Sequence, residues 1–169
     1  MRKLTIVILV ILVTIVTGCS VNYSFTGASI PEGTRTFQVN NFVNDAPLIE
    51  PGLDRLFTVE LQDLIQNQTN LELVISNADL IYEGEIIEYR ISPTTAQANS
   101  TAAQNRLTIG VNVRFIDTNN PDNDFEQRFS FFFDYEGSAQ LVGSQKTTAI
   151  DEIFERITQD IFNASLAKW

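Results

Sequence analysis

Apolar residues recur at helical spacing in two stretches of this chain, and each stretch predicts an amphipathic helix. The first helix begins at Pro51, a residue favoured in a first helical turn, and ends at the polar residues 67–70. Its apolar stripe contains Leu53, Phe57, Leu61, Leu64 and Ile65. The second helix closes the chain and has Thr148 as its expected N-cap. Its stripe contains Ile150, Ile153, Phe154, Ile157 and Ile161.

Apolar and polar residues alternate in other stretches, as expected for strands with one buried face. Five strands are predicted, at residues 34–43, 71–75, 79–91, 106–115 and 125–135. The first two flank the first helix, and this arrangement usually makes two strands parallel. The element order predicts an α+β fold, a two-layer sandwich in which a mixed four- to five-stranded sheet carries both amphipathic helices on one face.

The strand predicted at residues 79–91 differs from the others because its apolar side chains fall on both alternating sets. One set contains Leu80, Tyr82 and Ile86, and the other contains Ile81, Ile87 and Tyr89. We therefore expect both faces of this strand to be partly covered. Its position in the sheet stays open.

Two polar segments connect the later strands. Residues 92–105 predict a long polar loop, and residues 117–124 predict a hairpin loop rich in Asp and Asn. A calcium-binding EF-hand loop places oxygen ligands at positions 1, 3 and 5 and Gly at position 6. Asp117 and Asn119 fit this pattern, but Pro121 and Asp122 occupy the next two positions. We expect a hairpin turn here and not a calcium site.

The start of the chain has the pattern of a secretory signal peptide. Arg2 and Lys3 precede an apolar run at residues 4–16, and the small residues of Val16-Thr17-Gly18-Cys19 follow. The run of 13 residues is short of the roughly 20 that a transmembrane helix needs. A cysteine at the cleavage site resembles the lipobox of bacterial lipoproteins. The predicted organisation is a signal peptide at 1–18, an acylated Cys19 with a tether to residue 33, and one α+β domain at 34–169.

Charge and composition exclude several classes of function. The formal net charge is −10, and removal of Arg2 and Lys3 leaves nine basic against 21 acidic side chains. Such a balance argues against nucleic-acid binding, which depends on Lys and Arg at the phosphates. The chain has no His, and its single Cys is the one expected to be acylated. His-activated nucleophiles and Cys- or His-ligated metals are thereby excluded. The exclusion is partial, because paired carboxylates such as Glu83, Glu85 and Glu88 could still build a glycoside hydrolase. The sequence has no specific signal for such a site, and we predict no enzyme activity, no cofactor and no metal.

Arg106, Arg114 and Arg128 are candidate contact residues, because they alternate with the apolar residues of their strands. We expect them to project from the sheet face away from the helices, with Arg114 and Arg128 close together if their strands pair. Planar guanidinium groups suit phosphate recognition. The alternative is ordinary cross-strand pairing, for instance with Glu126 or Glu85.

Several stretches, in this order and at this spacing, resemble one family nearly from end to end. They are Gly18-Cys19, Tyr23-Ser24-Phe25-Thr26-Gly27-Ala28-Ser29-Ile30-Pro31, Ala46-Pro47-Leu48, residues 79–84 with Tyr89, Ala103-Gln104-Asn105-Arg106-Leu107-Thr108-Ile109, Asp160-Ile161-Phe162-Asn163 and Trp169. The chain is similar in these to the lipopolysaccharide-assembly lipoproteins, LptE. The resemblance also implies a fold in which a sheet is backed by two helices, in agreement with the predicted elements.

The resemblance implies a non-enzymatic lipoprotein of the outer membrane that faces the periplasm and is held in the membrane by acylated (palmitoylated) Cys19. The implied partners are the LptD outer-membrane β-barrel, which family members plug and help to assemble, and lipopolysaccharide on its way to the cell surface. The alternative is a structural adaptor lipoprotein that binds peptidoglycan or another envelope component. Both hypotheses share the anchor at Cys19.

Overall fold

The predicted α+β sandwich is confirmed by a computed structural model, which describes residues 30–94, 104–137 and 140–167. Its strands are β1 (Thr36–Val39), β2 (Val43–Asn44), β3 (Glu72–Leu73), β4 (Leu80–Thr94), β5 (Gln104–Asp117) and β6 (Phe125–Glu136). Its helices are α1 (Leu53–Gln68) and α2 (Gly143–Leu166), with a single 3-10 turn at Pro121–Asn123. The predicted signal peptide, Cys19, most of the tether, the centre of the polar loop and Trp169 lie outside the described residues.

The sheet is mixed and runs in the order β3-β1-β4-β5-β6, with β2 paired to β4. The pairs that involve β1 and β2 are parallel, whereas β4, β5 and β6 form an antiparallel meander. The parallel pairing of β1 with β3 across α1 is as predicted.

The sheet has more strands than expected because the predicted first strand is divided in two at residues 40–42. There the backbone N–H of Phe42 turns away from the sheet and donates to the Thr58 hydroxyl oxygen of α1, at 3.1 Å. The Phe42 ring packs edge-to-face against Phe57 of the same helix, with the ring centroids 4.9 Å apart. This contact attaches α1 to the sheet, and the hydrogen-bond ladder of the predicted first strand is interrupted there.

Both helices cover the same face of the sheet. The predicted α1 stripe is buried at Leu53, Phe57, Leu61 and Ile65, and Leu64 is half-buried. Every residue of the predicted α2 stripe is buried, and Phe154 meets Phe57 edge-to-face at 5.1 Å. The hydroxyl of buried Tyr82 on β4 donates to Ser165 near the end of α2, which satisfies the phenol inside the core.

The predicted start of α2 at Thr148 is wrong, because the helix begins at Gly143 and Thr148 lies inside it. Buried Leu141 holds the chain against the core just before the helix. The Lys146 ammonium then pairs with Glu50 at 2.8 Å across the space between α2 and the loop before α1. These tertiary contacts stabilise a first turn that the local sequence alone does not signal.

A β-bulge at Ile87 explains the mixed pattern of the strand predicted at 79–91. Ile86 pairs with Val111 and Glu88 pairs with Gly110, so Ile87 is an extra residue on β4. Before the bulge Leu80, Tyr82 and Ile86 are buried, and after it Tyr89 is buried. Most of the apolar set thus changes its parity at the bulge and stays on the helix-covered face, while Ile81 and Ile87 remain partly buried outside it, so that both faces are partly covered as expected.

Gly84 is required by a close approach of β4 to β5, and this generates a stability prediction. A Cβ atom at Gly84 would lie 2.0 Å from the Asn112 carbonyl oxygen and 2.9 Å from the Phe42 ring. We expect Gly84→Ala to lower the free energy of unfolding by roughly 3 kcal/mol, measured by urea denaturation.

The matched control is Gly110→Ala, where a Cβ would meet only side-chain atoms of Glu88 and Arg128, at 3.2 Å or more. Gly110→Ala should lower the free energy of unfolding clearly less than Gly84→Ala does. Equal losses in the two variants would show that the contact at Gly84 does not restrict the residue.

Candidate functional site: the charged outer face of the sheet

The sheet face opposite the helices, called the outer face below, carries the candidate arginines. Arg106, Arg114 and Arg128 project from it with 37%, 56% and 54% of their side chains exposed. Their neighbours along the strands, such as Leu107, Val113 and Phe129, point into the core. The arginines are thus placed as the alternation of their strands predicts, and each is engaged by carboxylates.

Arg106 is matched by one carboxylate on the neighbouring strand. Its Nε and Nη2 atoms both donate to Asp134 at 2.7 Å, and the two residues are directly opposite in the β5–β6 register. The guanidinium also lies over the Phe132 ring at 3.6 Å. The hydrogen bond from Arg106 holds the pKa of Asp134 below its usual value. Arg106 and Asp134 therefore form a bidentate ion pair with no net charge.

Arg114 lies between two carboxylates, one on each side of β5. It donates from Nη1 to Glu83 at 3.0 Å and faces Glu126 from Nε at 3.5 Å. Asn112 donates to Glu126 as well, and this bond together with the charge of Arg114 lowers the pKa of Glu126. The group around Arg114 therefore has an excess of negative charge. Cross-strand pairing with Glu126, one of the two alternatives for the arginines, is observed here.

Arg128 forms a third arrangement, in which two arginines share one carboxylate. Arg128 pairs with one oxygen of Glu88, and Arg90 donates from Nε to the other at 2.8 Å. Arg128 reaches β4 by crossing β5 above Gly110, whose missing side chain leaves room for the guanidinium. Two cations and one anion leave this group with an excess of positive charge.

Arg114 and Arg128 are diagonal neighbours on the outer face, since Arg114 is opposite Glu126 and Arg128 is opposite Asn112. They do not join into one cluster, because each is turned toward its own carboxylates. Sequence reasoning missed Arg90, which the bulge at Ile87 brings onto the same face as Arg128. The mixed parity of β4 was the signal that could have found it.

A groove of about 540 Å³ adjoins Arg90 and Arg128. Its apolar wall is formed by Pro47, Leu48, Ile87 and Ile91. Leu48 is 54% exposed although it is a large apolar residue. The groove combines an apolar wall with the one group on the outer face, among the described residues, that has more arginines than carboxylates.

The loop at 117–124 is a hydrogen-bonded hairpin turn, as expected. Buried Asp117 accepts from the backbone N–H groups of Asn119 and Asn120 and from the Asn123 amide, at 2.8 to 3.1 Å. Within the part of the chain that the structure describes, no three Asp, Glu, Cys or His residues are grouped to hold a metal ion. None of the helices described is both long and apolar enough to cross a membrane.

Asp79 joins the start of β4 to the start of β1, where the chain enters the domain. Its carboxylate accepts from the backbone N–H groups of Arg35 and Thr36, at 2.8 and 3.0 Å, and from the Thr36 hydroxyl. These bonds, led by that from Arg35, lower the pKa of Asp79 to about 2. Sequence reasoning did not single out this residue, because the acceptor role depends on backbone groups 43 and 44 positions away.

The fold and this surface define a two-layer α+β domain with a charged outer face. A family model for lipopolysaccharide assembly, LptE, matches residues 34–165. The chain belongs to this lipopolysaccharide-assembly family.

Solved structures to which the chain is similar share little sequence with it. The hypothetical protein CT253 from Chlamydia trachomatis has 12% identity and a TM-score of 0.50, over 80% of this chain and 99% of that one. A PelC dodecamer from Paraburkholderia phytofirmans has 12% identity and a TM-score of 0.47, over 82% and 93%. A minor lipoprotein from Acinetobacter baumannii has 15% identity and a TM-score of 0.44, over 80% and 98%. The first likeness concerns the fold alone. No curated protein matches the sequence.

The low pKa of Asp79 predicts a pH-dependent contribution to stability. An unfolded Asp titrates near 3.9, so the folded state is stabilised above about pH 4 and loses this contribution as the pH falls toward 2. We expect Asp79→Asn to unfold at a lower urea concentration than the unmodified chain at pH 7. The difference should narrow as both are titrated from pH 4 toward pH 2.

Asp122→Asn is the control for this titration, because it removes the same charge from the exposed 3-10 turn. It should leave the unfolding midpoint nearly unchanged at pH 7. The role of the Asp79 carboxylate would be contradicted if the difference in unfolding midpoint between Asp79→Asn and the unmodified chain stayed constant down to pH 2.

Proposed function

We propose that this protein is the lipid-anchored partner of an LptD-type outer-membrane β-barrel, which it plugs and helps to assemble for lipopolysaccharide export. The observation that carries the proposal is the family match over residues 34–165. The protein acts without catalysis, in this proposal, by binding the barrel and contacting lipopolysaccharide during its delivery. It faces the periplasm and is held in the outer membrane through acylated Cys19.

The anchor suits the charge of the chain. With nine basic and 21 acidic side chains after residue 18, the protein gains little from attraction to anionic lipid headgroups. Stable attachment therefore needs acyl chains, and two or more of them hold far better than one. Acylation of Cys19 supplies them.

The tether gives the plug a defined end near the membrane. Ile30 packs against the core, and Pro31 lies beside Leu80, Phe115 and Leu166. Ten residues lie between Cys19 and Ile30, and these eleven Cα–Cα steps give a reach of at most about 40 Å. The paired ends of β4 and β5, at Thr94 and Gln104, lie a strand length of about 45 Å from this entry point. In a plug, the β4–β5 end points away from the anchor.

The outer face is suited to the inside of a large barrel. Barrel interiors are polar and some are filled by other protein. The outer face presents both signs of charge on neighbouring strands, from Arg106 with Asp134 to Arg114 with Glu83 and Glu126. Such groups can exchange ion-pair and water-mediated contacts with a polar wall without burying an unpaired charge.

The alternative is a structural adaptor lipoprotein that binds peptidoglycan or another periplasmic protein. It shares the anchor and is compatible with the same fold. The two hypotheses differ in what co-purifies with the lipidated protein from detergent-solubilised membranes.

The proposal predicts a stable complex with a barrel partner. The lipidated protein, purified through a C-terminal tag from mild detergent, should bring down a heat-modifiable outer-membrane barrel in equal amount. Depletion of the protein should leave that barrel misassembled and reduce lipopolysaccharide at the cell surface.

The Cys19→Ala variant, exported to the periplasm by a cleavable signal peptide without a lipobox, is the control for the anchor. It should recover less of the barrel than the lipidated protein does. Normal barrel levels and normal surface lipopolysaccharide after depletion would contradict the proposal, and recovery of peptidoglycan fragments in place of a barrel would favour the adaptor.

A further inference from the structure

The four outer-face arginines among the described residues differ in how far their charge is neutralised. Arg106 has one carboxylate to itself, and Arg114 has two. Arg90 and Arg128 share only Glu88. Glu85 lines the neighbouring groove together with Glu83 and Arg114. Positive charge in excess is therefore confined, on this face, to the Arg90–Arg128 pair.

The shared carboxylate holds the two guanidinium groups without saturating them. An arginine has five N–H donors. Arg90 uses Nε on Glu88 and Nη1 on the Ser92 hydroxyl, and Arg128 uses Nη2 on Glu88. Both side chains are more than half exposed, whereas Glu88 is 18% exposed. The remaining donors are thus available to an anion from solvent, while the partly buried carboxylate sets their positions.

An apolar wall lies directly beside these donors. The bulge places Ile87 out of the regular alternation, so that it lines the groove with Pro47 and Leu48 from the loop before α1. Ile91 is opposite Leu107 and packs against the core, so it lines the groove from the helix-covered side, and the groove passes around β4 from there to the arginines. The groove volume of about 540 Å³ falls within the range of small-molecule sites. An isolated anion would not need the apolar wall, and an uncharged hydrocarbon would not need the arginines.

We propose that this groove binds an anionic amphiphile, with a phosphate of its headgroup on Arg90 and Arg128 and an acyl chain on Leu48, Ile87 and Ile91. Guanidinium groups bind phosphate oxygens through paired, charge-assisted hydrogen bonds. The inference rests on the proposed function, since lipopolysaccharide carries both phosphates and acyl chains, and it assigns the contact to particular residues. Arg128 belongs to this site, and Arg106 and Arg114 act in the ion pairs of the sheet.

The test measures binding of fluorescently labelled, diphosphorylated lipid A to the full lipidated protein in detergent. We expect the double variant Arg90→Gln, Arg128→Gln to weaken binding about tenfold or more. The matched control, Arg106→Gln with Arg114→Gln, removes the same charge from the same face and should change the affinity less than about twofold. Equal losses in the two double variants would overturn the site in favour of general electrostatic attraction.

Two further binding measurements distinguish the contribution of the ligand's phosphates from that of its acyl chains. Lipid A without its phosphates should bind the unmodified protein weakly and be insensitive to the Arg90→Gln, Arg128→Gln change. Inorganic phosphate at millimolar concentration should not displace lipid A, because it cannot occupy the apolar wall. Displacement by phosphate, or equal binding of dephosphorylated lipid A, would overturn the proposal.

Leu48→Ser is a second variant that leaves both arginines and their carboxylate in place and adds no charge. Because Leu48 is exposed in a loop, this change should preserve the fold while weakening lipid A binding. Unchanged affinity in Leu48→Ser would contradict the apolar half of the site.

Barrel co-purification is measured in parallel on the unmodified protein and on every variant. We expect the groove variants to lose lipid A binding and to retain the barrel. If the barrel co-purifies but the groove variants bind lipid A as well as the unmodified protein does, this inference alone is refuted. Absence of the barrel with the unmodified protein refutes the proposed function instead.

Discussion

The pairing of β4 with β5, and the bulge that interrupts it at Ile87, determines most of what this domain presents on its two faces. All the strands other than β3 are attached to one member of this pair, and the helices pack on one side of it. The extra residue moves the buried set from Leu80, Tyr82 and Ile86 to Tyr89 without moving the core. Without it, the residues after Ile86 would exchange faces.

The same shift organises the outer face. Glu88 and Arg90 point away from the helices only because they follow the bulge, and Glu88 comes opposite Gly110. The missing side chain at Gly110 then lets Arg128 cross from β6 to reach Glu88. One inserted residue and one glycine thus produce a pair of arginines that share a single carboxylate. Exposed ion pairs of this kind add little to stability, and the role proposed for the arrangement is recognition.

The unequal neutralisation of the arginines links the fold to the proposed function. A plug inside a polar barrel needs mixed charges that remain satisfied, as Arg106 and Arg114 are. Contact with a phosphorylated lipid needs donors that remain free, as on Arg90 and Arg128. Both kinds of surface occur on one sheet, with the apolar groove at the boundary. In this account the family's task of lipopolysaccharide assembly is divided between neighbouring parts of one face.

The sequence was sufficient to predict features that depend on local periodicity. The stripes of α1 and α2, the alternating strands β5 and β6 and the parallel crossover through α1 follow from spacing alone, and all are observed. Features that depend on distant groups were missed. The start of α2 depends on Leu141 and Lys146, and the low pKa of Asp79 depends on backbone donors of β1. The carboxylate partner of each arginine depends on strand register, which the bulge altered.

The central claim, that one face of this family member contacts lipid beside the surface that serves the barrel, can be tested in living cells by site-specific photocrosslinking. A photoreactive residue at Leu48, in the groove, should form an adduct that is detected by lipopolysaccharide-specific antibody. The same residue placed at Ile75, which is 95% exposed and lies off the outer face between β3 and β4, should not. Lipopolysaccharide adducts at Ile75 equal to those at Leu48, or none at Leu48, would contradict the account.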